Sequence, residues 1–298
     1  MLVNMKGILE DAVKSNRTVA AFNVFGYEDA KAVIEAAEES NAPVILMTNK
    51  DAVEFMDIEY FAKLFGIMAK KAKVPVCIHL DHAKDYGLIA RAIKVGYTSV
   101  MYDGSQLPLE ENIENTKEVV KLANACNVTV EGEIGSVAYS DKNLDVKSIY
   151  TEPEEAEYFA KETKVHALAV AIGTLHRMQV QEAEIQYDRL EKIIKLIDTP
   201  IVIHGSTGVK DEDLQRLTKY NVGKVNIGTA LRMAFANIYE KKWGTIQIYS
   251  IEPNYSEDLW RKLKRLQLVR LSYLVGKSNG IREGLNEDYK AYNGASFG

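Results

Sequence analysis

The run PVCIHLDHAKD, Pro75 to Asp85, places His79, Asp81 and His82 at the end of a short apolar stretch. Burying three such groups unpaired would cost several kcal/mol each, so the rest of the chain must supply partners. Two further histidines, His176 in GTLHRM and His204 in IVIHGS, also follow apolar runs. His82, His176 and His204, drawn together from three separate segments, would leave a fourth position open. That is the ligand pattern of catalytic rather than structural zinc. Asp81, beside one of the three, is a candidate general acid or base; its alternative role is to orient a metal-bound histidine. His79 reads as a structural support.

The elements that must position these groups repeat as strand then helix. Runs suited to strands occur at 18–24, 43–48, 75–81, 98–103, 128–134, 167–173, 200–205 and 224–228. Between them lie amphipathic segments such as YEDAKAVIEAAEESN, PLEENIENTKEVVKLANACN and EPEEAEYFAKET. Several open on acidic residues, as the helix dipole favours. Near-continuous apolar strands alternating with such helices mean a parallel sheet covered on its outer face. Eight units predict a TIM (β/α)8 barrel over residues 1–298, with an N-terminal helix and a helical C-terminal extension from 245 to 298.

In that fold the active site forms at the C-terminal ends of the strands. Those ends carry Asn23, Asp81 and His82, Asp103, Glu131 and Glu133, His204 with Gly205, and Asn226, with His176 three residues past strand six. Four of the five histidines gather there, and His166 falls at the opposite mouth. Strand alternation sets His79 and Asp81 on one face and His82 on the other, so His82 reaches inward only if the strand has already ended. HGSTGV after strand seven and NIGT after strand eight resemble an anion site. Gly205, Ser206, Thr207, Gly228 and Thr229 offer amides and hydroxyls, and Thr229 opens a helix.

The bulk numbers narrow the class. The net charge of -5 argues against a nucleic-acid or anionic-membrane partner. No apolar run is long enough to span a bilayer, and the N-terminus lacks a signal-like h-region. Cys77 and Cys126 sit in apolar-patterned segments and read as two buried free thiols of a reducing, cytoplasmic protein.

The stretches AFNV, IHLDHAKD, SVMYDGSQLP, VEGEIG, LAVAIGTLH, IVIHGSTGV and KVNIGT, in that order across residues 20–235, resemble the zinc-dependent class II fructose- and tagatose-bisphosphate aldolases. The resemblance implies one catalytic Zn2+ on His82, His176 and His204, acting as a Lewis acid that stabilises the enediolate formed when the carbon–carbon bond breaks. It implies that Asp81 moves the hydroxyl proton, that Asn226 meets the enediolate, and that Asn23 borders the substrate. Gly205, Ser206, Thr207, Gly228 and Thr229 would hold the phosphate of dihydroxyacetone phosphate. Asp103 and Glu133 match carboxylates near the metal, as a second or alternative site or as hydrogen-bonding groups in the mouth. A monovalent cation, and cobalt or iron in place of zinc, are compatible with these donors. A homodimer or homotetramer, a phosphosugar substrate and no macromolecular partner complete the expectation.

This chain departs from the family pattern in four places. Arg177 stands where the family has glycine after the strand-six histidine, and meets either solvent or an added carboxylate or phosphate. After strand five, Ala138 and Tyr139 replace paired glycines, and Asp141 falls where a loop glutamate shuttles the enediolate proton. After strand two, Asn49 replaces a serine, and the C-terminal tail does not follow the usual segment. Arg261 or Arg265 there could reach a second phosphate, or the tail is an interface helix. The expected substrate is therefore fructose or tagatose 1,6-bisphosphate, or else another ketose 1-phosphate with a shorter or carboxylated aldehyde half. A barrel that binds phosphosugars without catalysis is the rival class, and it would purify without stoichiometric zinc. Strand one ends in Asn23 rather than an H-x-H pair, which argues against a metal hydrolase.

Overall fold

The alternating pattern closes on itself. The computed structural model describes residues 1–138, 149–243, 261–265, 267–268, 271–272 and 274–275. Eight parallel strands pair in chain order, with the last closing on the first. They are β1 (Val19–Asn23), β2 (Val44–Thr48), β3 (Val76–Ala83), β4 (Ser99–Tyr102), β5 (Thr129–Ile134), β6 (Ala167–Val170), β7 (Ile201–Ile203) and β8 (Val222–Ile227). The helices are α1 (Met5–Lys14), α2 (Tyr27–Ser40), α3 (Lys50–Phe55), α4 (Ile58–Lys71), α5 (Tyr86–Val95), α6 (Leu109–Ala125), α7 (Pro153–Thr163), α8 (Tyr187–Leu196), α9 (Asp211–Leu217) and α10 (Thr229–Trp243). This is the (β/α)8 barrel the pattern predicted.

Local chemistry sets the helix ends. The Asp29 carboxylate accepts from the amides of Phe25 at 2.6 Å and Gly26 at 3.0 Å, which closes the first turn of α2. Asn41, left-handed at φ 48°, stops that helix. Asp85 caps α5 by accepting from Leu88 N at 2.7 Å. Packing then divides the core into two layers. The outer one lies between strands and helices and includes Phe61, Phe65 and Phe159, all fully buried; each contributes roughly 1.5–3 kcal/mol. The inner one fills the barrel floor with Met5, Ala21, Ile45, Met47, Cys77, Ala167, Ala169 and Val202. Met5 comes from α1, the expected N-terminal helix, and its amide donates to Thr129 Oγ1 at 3.2 Å. Among the described residues this packing closes the floor, opposite the mouth formed by the strand C-terminal ends.

Two expectations need correction. Strand six ends at Val170, not at residue 173, because Ala171 N turns aside to donate to Thr151 Oγ1 at 2.8 Å. His176 is therefore six residues past the strand. Cys126 is exposed at the C-terminal end of α6, where the apolar periodicity has already stopped; only Cys77 is a buried thiol. The greater part of the 245–298 extension, like Tyr139 and Asp141, lies outside the described residues. Of that extension, residues 261–265 are helical, with Leu263, Leu271 and Leu274 buried. Thr18 N donates to Leu274 O at 3.1 Å, and Lys264 pairs with Glu39 of α2, so these residues pack beside the start of β1.

Candidate active site

Near the end of β3 the ladder with β4 shifts register between Leu80 and Ala83. His82 sits in that irregularity with φ 52°, a left-handed conformation that a non-glycine residue rarely adopts. The twist turns its ring into the mouth while the strand runs on to Ala83. The sequence reading had the strand ending first; a bulge achieves the same inward turn. His79 and Asp81 point inward by ordinary alternation, and both are buried.

His176 arrives on the loop after β6, and its amide donates to Ala138 O at 2.8 Å, tying that loop to the one after β5. His204 follows β7 directly. The ring centroids lie 5.0 Å (His82–His176), 4.7 Å (His82–His204) and 5.7 Å (His176–His204) apart. One ligand atom from each of the three lies within 4.8 Å of the others, and the same holds for His82, Asp103 and Glu133. The five sequence-derived metal candidates thus form two overlapping sets that share His82.

The donors suit a divalent cation. Among the described residues, buried His204 Nδ1 and Glu133 Oε2 have no hydrogen-bond partner. Burial holds His176 well below the ordinary imidazole range, and also lowers His204, so both offer neutral lone pairs. At His82 burial also opposes the charged form, but Asp81, Asp103 and Glu133 outweigh it and raise the ring to about 10. Its Nδ1 meets Asp103 Oδ2 at 2.9 Å. Glu133 is pushed well above its usual range by burial and by Asp103.

Asp81 accepts from Asn23 Nδ2 at 2.9 Å and Asn226 Nδ2 at 3.3 Å. Burial opposes its charged form, yet the surrounding His82, Lys224 and His204 hold its pKa down at about 2, so it is ionised at neutral pH. Asn226 Oδ1 is buried with no partner among the described residues, an acceptor available to a hydroxyl. His79 Nδ1 lies 2.7 Å from Ser99 Oγ.

The loops after β7 and β8 meet on the other side of the mouth. Gly205 is left-handed at φ 68°, and a Cβ there would stand 2.5 Å from Leu175 O; only glycine fits. A 3-10 turn follows at Ser206–Gly208. Ser206 Oγ donates to Asn226 O at the end of β8, and Thr207 Oγ1 accepts from Ala230 N at 3.2 Å, bracing the start of α10. A cavity of about 560 Å³ spans from Gly205, Gly228 and Thr229 past His82 to Asn49 and Arg177.

Sequence reasoning missed two features. Arg232, one turn into α10, lines the same cavity beside the phosphate-type loops, and its guanidinium donates to Thr229 Oγ1 at 3.4 Å. A basic residue one turn beyond NIGT was the available signal. The second is Lys224, fully buried and 2.7 Å from Glu131 Oε2. A lysine inside a buried strand always requires a partner. Arg177, also left-handed at φ 59°, lies at the rim, half-exposed, 3.4 Å from Asp51 Oδ2.

Comparison with known proteins places the chain among aldolases. The chain is 36% identical over 236 residues to a sulfofructosephosphate aldolase of Alkalicoccus urumqiensis, covering 78% of this chain and 82% of that one. It is 35% identical over 238 residues to a 6-phospho-5-dehydro-2-deoxy-D-gluconate aldolase of Shouchella clausii (strain KSM-K16), covering 79% and 81%. The crystal structure of the YdjI aldolase from Escherichia coli K12 superposes with a TM-score of 0.80 at 29% identity, covering 92% of this chain and 97% of that one. The family model Fructose-bisphosphate aldolase class-II matches residues 3–268, and this chain, a lyase, belongs to that family.

Proposed function

We propose that the protein catalyses reversible, zinc-dependent aldol cleavage of a ketose phosphate to dihydroxyacetone phosphate and an aldehyde. The observation that carries this reading is the convergence of His82, His176 and His204 beside an ionised Asp81. His82, His176 and His204 would hold the zinc ion, which when bound supplies Lewis-acid stabilisation of negative charge on a carbonyl oxygen. Asp81, held by Asn23 and Asn226, accepts the proton of the substrate hydroxyl as the carbon–carbon bond breaks and returns it in condensation. Asn226 Oδ1 takes a hydroxyl of the three-carbon fragment. The amides of Gly205 and Gly228, the Thr229 end of α10 and Arg232 bind the phosphate. Asp103 and Glu133 with His82 form an alternative cation position. Asp141 keeps its proposed role as proton shuttle on sequence grounds alone.

Fructose or tagatose 1,6-bisphosphate is one candidate substrate. A second reading is favoured by Arg177: a ketose phosphate whose aldehyde half ends in another acid. The relatives' names denote a sulfonated fructose phosphate and a phosphorylated keto-gluconate, each with one phosphate and one different acid. A guanidinium at the rim pairs with a carboxylate or sulfonate in a two-point contact.

The test avoids the unknown aldehyde. Dihydroxyacetone phosphate is incubated with the protein in heavy water, with zinc and separately with a chelator, and the exchangeable C–H signal is followed by proton NMR. Zinc-dependent loss of that signal supports the reading. No exchange with zinc bound refutes dihydroxyacetone phosphate as the product.

A further inference from the structure

We propose that Glu131 and Lys224 are positioning residues that fix the His204 ring so that Nδ1 faces the metal position. The inference rests on the reading of His204 as a metal ligand. Glu131 and Lys224 are both completely buried, on β5 and β8, above the apolar barrel floor. Lys224 Nζ donates to Glu131 Oε2 at 2.7 Å, and Glu131 Oε1 lies 3.0 Å from His204 Nε2. A carboxylate held by an ammonium is acceptor-only, so the imidazole must donate from Nε2. That leaves Nδ1 as a lone pair, and Nδ1 is a buried atom with no hydrogen-bond partner among the described residues. His79 Nε2 leans on the same carboxylate at 3.7 Å.

A buried ion pair is weak evidence for a stabilising role, because well-packed apolar side chains of similar volume often replace one without loss. What apolar residues cannot do is select the tautomer and orientation of His204. Carboxylates behind ligating histidines do this elsewhere, and removing them typically weakens metal binding about 10–100-fold. Lys224 acts one step further back. It keeps Glu131 anionic and aimed, and it touches no reacting atom.

The test compares the full-length wild type with Glu131→Gln and with the double variant Glu131→Gln/Lys224→Met. Zinc affinity is measured by competition with a chromophoric chelator, and the visible spectrum is recorded after cobalt substitution. Phe65→Leu, a change in the outer core, controls for a general loss of stability. Each Glu131 variant is expected to bind zinc about 10–100-fold more weakly with a shifted cobalt spectrum, while Phe65→Leu melts earlier with affinity unchanged. Variant affinities within twofold of wild type, with an unchanged spectrum, overturn the proposal and leave the pair as a core fixture. Should the variants not fold, nitrogen NMR of the zinc-loaded wild type decides. A proton on His204 Nε2 and none on Nδ1 is expected; the reverse overturns the proposal. Failure of the underlying reading looks different: wild type would not bind zinc, or His204→Ala would bind it as tightly as wild type.

Discussion

Gly205→Ala tests how the barrel end transmits geometry to the site. Gly205 has φ 68°, and a Cβ built there stands 2.5 Å from Leu175 O and 2.7 Å from Leu175 C, where ordinary contact begins at 3.4 Å. The left-handed backbone costs an alanine about 1–2 kcal/mol. Relieving the clash requires backbone to move by about 0.9 Å, and overpacking of that kind costs about 1–3 kcal/mol. The sum is about 2–5 kcal/mol, read as a lowered urea midpoint with unchanged slope. Leu175 immediately precedes His176, so the retreat also drags a proposed ligand. A misplacement near 1 Å can cost about 100-fold in rate, and the proton-exchange assay should show a loss of that order even where the variant is fully folded. A stability loss below about 1 kcal/mol with exchange within threefold of wild type would refute the argument. It would mean that Leu175 yields freely and that His176 is not held by this contact.

Other consequences follow from the buried charges and the rim. Lys224→Met leaves Glu131 buried without its cation, and urea unfolding should show a loss of about 3–5 kcal/mol, most of it recovered in Glu131→Gln/Lys224→Met. Burial, aided by Lys224, holds His79 at about 3, against 6.5 in an exposed imidazole. The unfolded chain therefore takes a proton that the folded chain refuses, so the stability contribution is complete above pH 6.5 and drains away as pH falls. At pH 5 the metal-free protein should have lost about 2 kcal/mol from this group, and the pH dependence of the urea midpoint should be flatter in His79→Gln. Arg177→Gly removes a left-handed non-glycine residue that costs about 1 kcal/mol or more. Stability should hold or rise slightly in thermal melts, while KM for an acid-tipped ketose phosphate rises about tenfold and dihydroxyacetone phosphate exchange stays unchanged.

The alternation of apolar strands and amphipathic helices identified the barrel, because periodicity is a local property of the chain and each element buries its own face. Residues at strand ends could be read the same way: once strands are parallel, covalent order alone puts Asp81, His204 and Asn226 at one mouth. Lengths and exposures at element ends, as at Val170 and Cys126, were less legible, since they turn on side bonds such as Ala171 to Thr151. The tertiary structure decided what depends on depth and on pairs distant in sequence. Barrel closure imposes the register shift that turns left-handed His82 inward, against the alternation of its own strand. It brings Lys224 and Glu131, far apart along the chain, to 2.7 Å, and it sets Arg232 in the cavity beside Gly205 and Thr229. An imidazole, a lysine or an arginine announces its chemistry in the sequence, but its partner and its dielectric surroundings exist only once the strands have closed.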